Sequence, residues 1–176
     1  RNQLGPGACH ALCYADAAFA NVGDVKSQFR ALTAPTHHPD LVRSGRFDLA
    51  VMHAWVSSTV KRTVRSTLAA EGNAVSEGFG GVQWAKQLLA ELRGPGKSLA
   101  IVEKDSYKWP GIALTDSNSL ATTVSKDTGQ GADNRLRIVV AQLREGFSNI
   151  ERNELLWIPM WAQVADGLTK IMSTAM

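Results

Sequence analysis

The chain has 176 residues, 44% of them hydrophobic and 20% charged, a balance that suits one globular domain with a real core and excludes a disordered or fibrous chain. A formal net charge of +3 permits a polyanionic partner without demanding one. No apolar run approaches the roughly 18 residues needed to span a bilayer, and no charged-then-apolar leader opens the chain, so neither membrane insertion nor secretion is indicated.

The chain starts Arg1-Asn2-Gln3, without a methionine. A piece cut from a longer chain would begin this way, and so would a trimmed one. A single domain is expected over residues 1–176, with 1–10 and 174–176 as flanking tails. Cys9 and Cys13 sit four apart with no second ligand pair at zinc-site spacing. Together with the adjacent His37 and His38 they read as strand or loop residues in a reducing compartment.

Ala11 to Phe19 is a short apolar stretch, expected to be a strand ending around Asp16, and Phe29 to Thr33 is a second. Pro35, Pro39 and Gly45 mark residues 34–46 as a loop or wide connection. Phe47, Leu49, Val51, His53 and Trp55 then alternate with smaller residues, the period-2 pattern of a half-buried strand. Leu68, Val75, Val82 and Leu89 recur every seven residues with Glu71, Ala85 and Leu92 beside them, a helical stripe stopped by Gly94-Pro95-Gly96. Gly72, Gly78, Gly80 and Gly81 each cost this helix about 1 kcal/mol relative to Ala, so a bend or break is expected near Gly80. Residues 97–111 are ambiguous.

Ile112 to Thr115 is a compact buried strand ending at Asp116, followed by a polar helix start at Ser117-Asn118-Ser119. A second amphipathic helix carries Leu136, Val139, Val140 and Leu143 and stops at Gly146. Leu155 to Ile158 is a last strand closed by Pro159, and a short helix covers about Val164 to Lys170. Early strands with short connections favour antiparallel pairing, and later strands separated by helices favour parallel crossovers. The expected fold class is therefore α/β, a mixed sheet with helices on its faces.

Four acids stand among small or apolar neighbours: Asp16, Glu71, Asp116 and Asp166. Converging carboxylates would repel and raise one another's pKa, a cost that divalent cations relieve; Mg²⁺ takes oxygen ligands of this kind. Each acid also has a local reading. Asp116 and Asp166 fit helix N-caps, Glu71 a first-turn acid favoured by the dipole, and Asp16 a turn former.

Four blocks occur in order: YADAAFAN, KRTVRSTLAAEGNAVSEG, TDSNSL and WIPMWAQVADGLTK. Together they resemble the successive motifs of copia-type retrotransposon ribonuclease H (RNase H) domains, over roughly residues 13 to 173. The resemblance implies the RNase H-like fold, a five-stranded mixed sheet with its first three strands antiparallel and helices around it. It implies a catalytic and metal-binding set of Asp16, Glu71, Asp116 and Asp166, two Mg²⁺ ions for which Mn²⁺ can substitute, and hydrolysis of the RNA strand of RNA–DNA hybrids. Asp16 would bridge both ions, Glu71 and Asp116 would share one, and Asp166 would hold the other. An upstream reverse transcriptase in the same polyprotein is implied as a partner, without any membrane, inside the cell in a cytoplasmic virus-like particle or the nucleus. The chain departs from the family pattern in its glycine-rich helix, its long second loop, the run NRLRIVVAQLRE at residues 134–145 where polar residues are common, and Met160-Trp161. Those departures favour the alternative, a non-catalytic RNase H-like module with a structural or nucleic-acid-binding role; a strand transferase on the same fold is a weaker third reading.

For the substrate, Lys61, Arg62 and Arg65 could contact phosphates. Ser66, Asn118 and Ser119 could donate to the backbone, as could Ser57, Ser58, Thr59 and Thr67. The competing reading of the basic cluster is a solvated turn. The five tryptophans read as core or rim residues, and no histidine occupies a late, general-acid position.

Overall fold

The structure is a computed structural model that describes residues 9–22, 26–46, 52–60, 64–126, 134–147 and 152–166. Strands β1 (His10–Val22), β2 (Lys26–Thr36) and β3 (Ala54–Thr59) form an antiparallel set. A short helix, α1 (Pro39–Arg43), lies in the connection between β2 and β3 that was expected to be irregular. The long helix α2 (Thr67–Arg93) follows, then α3 (Leu99–Ser106), which makes the middle of the ambiguous stretch helical. Strand β4 (Gly111–Thr115), helices α4 (Asn118–Ser125) and α5 (Asn134–Gly146), and strand β5 (Asn153–Trp157) complete the order. A 3-10 turn at Met160–Ala162 leads into a helical turn at residues 164–166. The rest of the expected closing helix, including Lys170, lies outside the described residues.

The five strands lie in the order β3-β2-β1-β4-β5, with β4 parallel to both β1 and β5. This is the mixed sheet with three antiparallel leading strands that the resemblance implies. Alternate residues of β1 point to opposite faces. Ala11, Cys13 and Ala15 join the core beneath α2 with Val75, Val82 and Leu143, whereas Leu12 and Tyr14 pack with Ile112, Leu114, Ile158 and Ala165 on the other face. Both cysteines are free and buried, and burial pushes the Cys13 thiol up to about 12, so they are inert core residues.

Several local expectations are corrected. β1 does not end at Asp16 but runs on to Val22, because β2 continues to pair with it beyond that residue. Cys9 and His10, counted with the flanking tail, are buried; residues 1–8 and 174–176 lie outside the described residues. The third strand lies at residues 54–59, later than the alternating run, whose residues 47–51 are outside the described residues. It is an exposed edge rather than a half-buried strand, with Trp55 and Val56 open to solvent.

α2 is one continuous helix through all its glycines. A Cβ on Gly78 would come within 2.6 Å of Cys13 Sγ, and one on Gly81 within 2.7 Å of Thr33 Oγ1. The glycines that weaken the isolated helix let it lie flush on β1 and β2, so tertiary packing outweighs propensity.

Candidate metal centre

Three elements deliver three carboxylates to one place. Asp16 lies in the interior of β1. Asp116 follows β4 directly, and the parallel register Tyr14↔Leu114 sets the two acids level, two residues beyond the last pair. Glu71 is the fifth residue of α2, whose start is set by Ser66: its Oγ accepts from Ala69 N at 3.2 Å. One ligand oxygen from each of Asp16, Glu71 and Asp116 falls within 4.8 Å of the other two.

The local readings of these acids give way. The N-cap of α4 is Ser117, whose Oγ accepts from Leu120 N, not Asp116. No acid occupies the first turn of α2, so Glu71 sits deeper than the dipole argument requires. Asp16 is in a strand, not a turn.

Electrostatically the cluster is under tension. Glu71 is 6% exposed, and burial, followed by the charges of Asp16 and Asp116, pushes its pKa up to about 8 against the opposing Ala17 N–H. Asp16 is pushed up to about 6 by burial and then by Asp116 and Asp166; the Ala17 N–H and the Arg30 guanidinium pull the other way. Burial and then Asp166 raise Asp116, opposed by its own backbone N–H. Asp166 therefore acts on two members of the trio through space, although it is not one of the three whose oxygens meet.

A divalent cation fits this donor set on two counts. Glu71 Oε2 is buried with no hydrogen-bond partner, a cost that native structures rarely leave uncompensated. All the converging donors are carboxylate oxygens, the ligand type of hard cations such as Mg²⁺ and Mn²⁺.

Of the expected substrate residues, Arg65, Asn118 and Ser119 are exposed. Ser66 is engaged as the α2 cap, and Ser117 Oγ lies 3.2 Å from Ser119 Oγ. Lys61 and Arg62 lie outside the described residues. Among the tryptophans only Trp109 is core; Trp55, Trp84, Trp157 and Trp161 are exposed.

Three residues around the acids escaped sequence reasoning. Arg30 pairs across β1 with Asp16, is buried, and donates from Nε to Ser57 Oγ at 3.2 Å and from Nη2 to Gln28 Oε1 at 3.0 Å. Trp157 donates from Nε1 to Asp116 O at 3.1 Å. Gln163 is buried and donates from Nε2 to Ala15 O at 2.9 Å. Only pairing and burial reveal these roles. Gln163 did lie inside the closing motif, three residues before Asp166.

No family model and no curated protein matches the sequence. Solved structures do align with it. The N-terminal RNase H domain of a Mycobacterium tuberculosis protein, solved as a fusion with maltose binding protein, aligns at a TM-score of 0.56 and 14% identity, covering 90% of this chain and 89% of that one. LC11-RNase H1, isolated from compost by a metagenomic approach and solved in complex with an RNA/DNA hybrid, aligns at 0.53 and 11% identity, over 90% and 92% of the two chains. The foamy viral protease-reverse transcriptase, also in complex with an RNA/DNA hybrid, aligns at 0.50 and 11% identity, over 90% of this chain and 18% of that one. The chain has an RNase H-like fold. These alignments carry no information on a retrotransposon origin.

Proposed function

We propose that this chain is a divalent-metal-dependent ribonuclease H that hydrolyses the RNA strand of RNA–DNA hybrids, working downstream of a reverse transcriptase in a copia-type retrotransposon polyprotein. The observation that carries the reading is the convergence of Asp16, Glu71 and Asp116 within 4.8 Å, with one Glu71 oxygen buried and unpartnered, on an RNase H-like sheet. The motif order in the sequence supports the polyprotein context.

Asp16, Glu71 and Asp116 would hold divalent ions, with Asp166 completing the set. Bound there, the ions would supply Lewis acidity toward a phosphodiester and lower the pKa of water. Glu71 would give up its proton as a cation arrives, because a positive charge favours the ionised form. Water then attacks phosphorus and the bond to the 3′ oxygen breaks. One water proton ends on that oxygen, leaving a 5′-phosphate and a 3′-hydroxyl. Arg65, Asn118 and Ser119, with Lys61, Arg62 and the Ser66 hydroxyl, would grip the backbone and sense 2′-hydroxyls.

A second reading, a non-catalytic nucleic-acid-binding module, is favoured by the departures from the family pattern and by the histidines, all four of which lie at or before His53, so that none is available late in the chain as a general acid. Cleavage of a labelled RNA–DNA hybrid in Mg²⁺ or Mn²⁺ separates the two. The nuclease reading expects RNA-strand cleavage that falls by roughly two orders of magnitude or more in Asp16→Asn and Asp116→Asn. A folded chain that binds hybrid but leaves it intact in both metals would establish the module instead.

A further inference from the structure

We infer that Gln163 is a positioning residue, a side-chain brace that holds the backbone bearing Asp16 against the backbone bearing Asp166. The inference rests on the metal-site reading above. Gln163 is 4% exposed, and both ends of its amide are used. Nε2 donates to Ala15 O at 2.9 Å, and Oε1 accepts from Ala165 N at 3.4 Å. Each partner is the residue immediately before an acid. A planar amide fixed at both ends thus links β1 to the closing segment. The turn is closed locally as well, because Asp166 N donates to Gln163 O at 3.2 Å.

The site needs such a brace for two reasons. The β1–β4 ladder ends at Tyr14↔Leu114, so Ala15 O lies just beyond the last paired residue. A buried carbonyl there requires a donor, and Gln163 supplies it where the neighbouring strand no longer does. Secondly, the two bonds of Gln163 set Asp16 and Asp166 each one residue beyond an anchor point, and like carboxylates on the two segments repel. Bonds to the residues preceding the acids oppose that repulsion without occupying any carboxylate oxygen, leaving those oxygens available to a cation.

A residue that merely satisfied Ala15 O would affect stability and nothing else. The test therefore reads metal binding directly, by Mn²⁺ titration calorimetry on the full chain, alongside melting temperature and hybrid-cleavage kinetics. Gln163→Met keeps length and removes both bonds; Gln163→Asn keeps the amide but shortens its reach and covers the case in which the first variant does not fold. The expected result in both is Mn²⁺ binding weakened about tenfold, the 10–100-fold range being usual for outer-shell partners. kcat should fall at limiting metal while KM for the hybrid stays within twofold. Variants that melt lower yet bind Mn²⁺ within twofold of the wild type would overturn the brace and leave the metal site standing. A wild-type chain that binds no Mn²⁺ would remove the metal-site reading, and the brace with it.

Discussion

Glu71 is the residue at which the cost of assembling the cluster is concentrated. Its carboxyl ionises near 4.5 in an unfolded chain but only near about 8 in the metal-free fold. A raised acid contributes its full share of stability below pH 4.5 and loses it as pH rises through about 8, because the unfolded chain releases the proton first. Glu71→Gln keeps the shape and removes that penalty. At pH 7.5 without metal, the variant is expected to be more stable than the wild type by about 1–3 kcal/mol and to gain no melting temperature from Mn²⁺, whereas the wild type gains. Denaturant melts with and without the ion read both. A variant that is less stable and still responds to Mn²⁺ would show that Glu71 is an ordinary buried acid. The identity of this residue was legible in the sequence from the order of the motif blocks. That one of its oxygens, Oε2, is buried without a hydrogen-bond partner was not, because it depends on which side chains surround the start of α2.

At the scale of the element, α2 displays the limit of propensity arguments. Its glycines predict a bend, and the folded helix runs unbroken from Thr67 to Arg93. The glycines are not equivalent. A Cβ on Gly78 would lie 2.6 Å from Cys13 Sγ and 3.2 and 3.3 Å from the Cβ atoms of Ala31 and Ala15, whereas one on Gly80 would have nothing within 4 Å. Gly78→Ala is expected to destabilise by about 1–3 kcal/mol through overpacking, and Gly80→Ala to stabilise by about 0.5–1 kcal/mol through helix propensity. Urea midpoints of the two variants should move in opposite directions, and equal shifts would sink the packing argument. The same helix buries Lys86 completely, with Nζ donating to Asn153 Oδ1 at 2.9 Å while Asn153 Nδ2 donates to Gly146 O at 2.8 Å. That link ties α2 to β5 and to the end of α5. A lysine in an amphipathic pattern reads as solvent-facing, and only the packed structure reverses it.

For the whole molecule, the raised acids make stability and metal binding two sides of one equilibrium. Asp16 and Glu71 both release protons late, near about 6 and about 8. The metal-free protein should therefore melt at progressively lower temperature as pH is raised from 5 to 8.5. Mn²⁺ binds the ionised forms, so its stabilising effect should be small at pH 5 and grow to pH 8.5. Scanning fluorimetry across this range provides the check. A melting temperature that rises with pH in the absence of ions would contradict the cluster's electrostatics. No described helix is long and apolar enough to cross a membrane, consistent with the hydropathy of the sequence.

The sequence by itself determined the order of strands and helices from β4 onward, the stops at Gly94 and Gly146, and the candidacy of Asp16, Glu71 and Asp116, the three acids that the fold brings together. Periodicity, capping and helix termination are interactions between near neighbours, so they can be read along the chain. The tertiary structure alone decided that β1 runs past Asp16, that Arg30 stands across from it, that β3 is an exposed edge and that Gln163 spans two segments. Each of these depends on which strand lies beside which and on where burial leaves a polar atom needing a partner. Such contacts join residues up to 148 positions apart, and local pattern carries no trace of them.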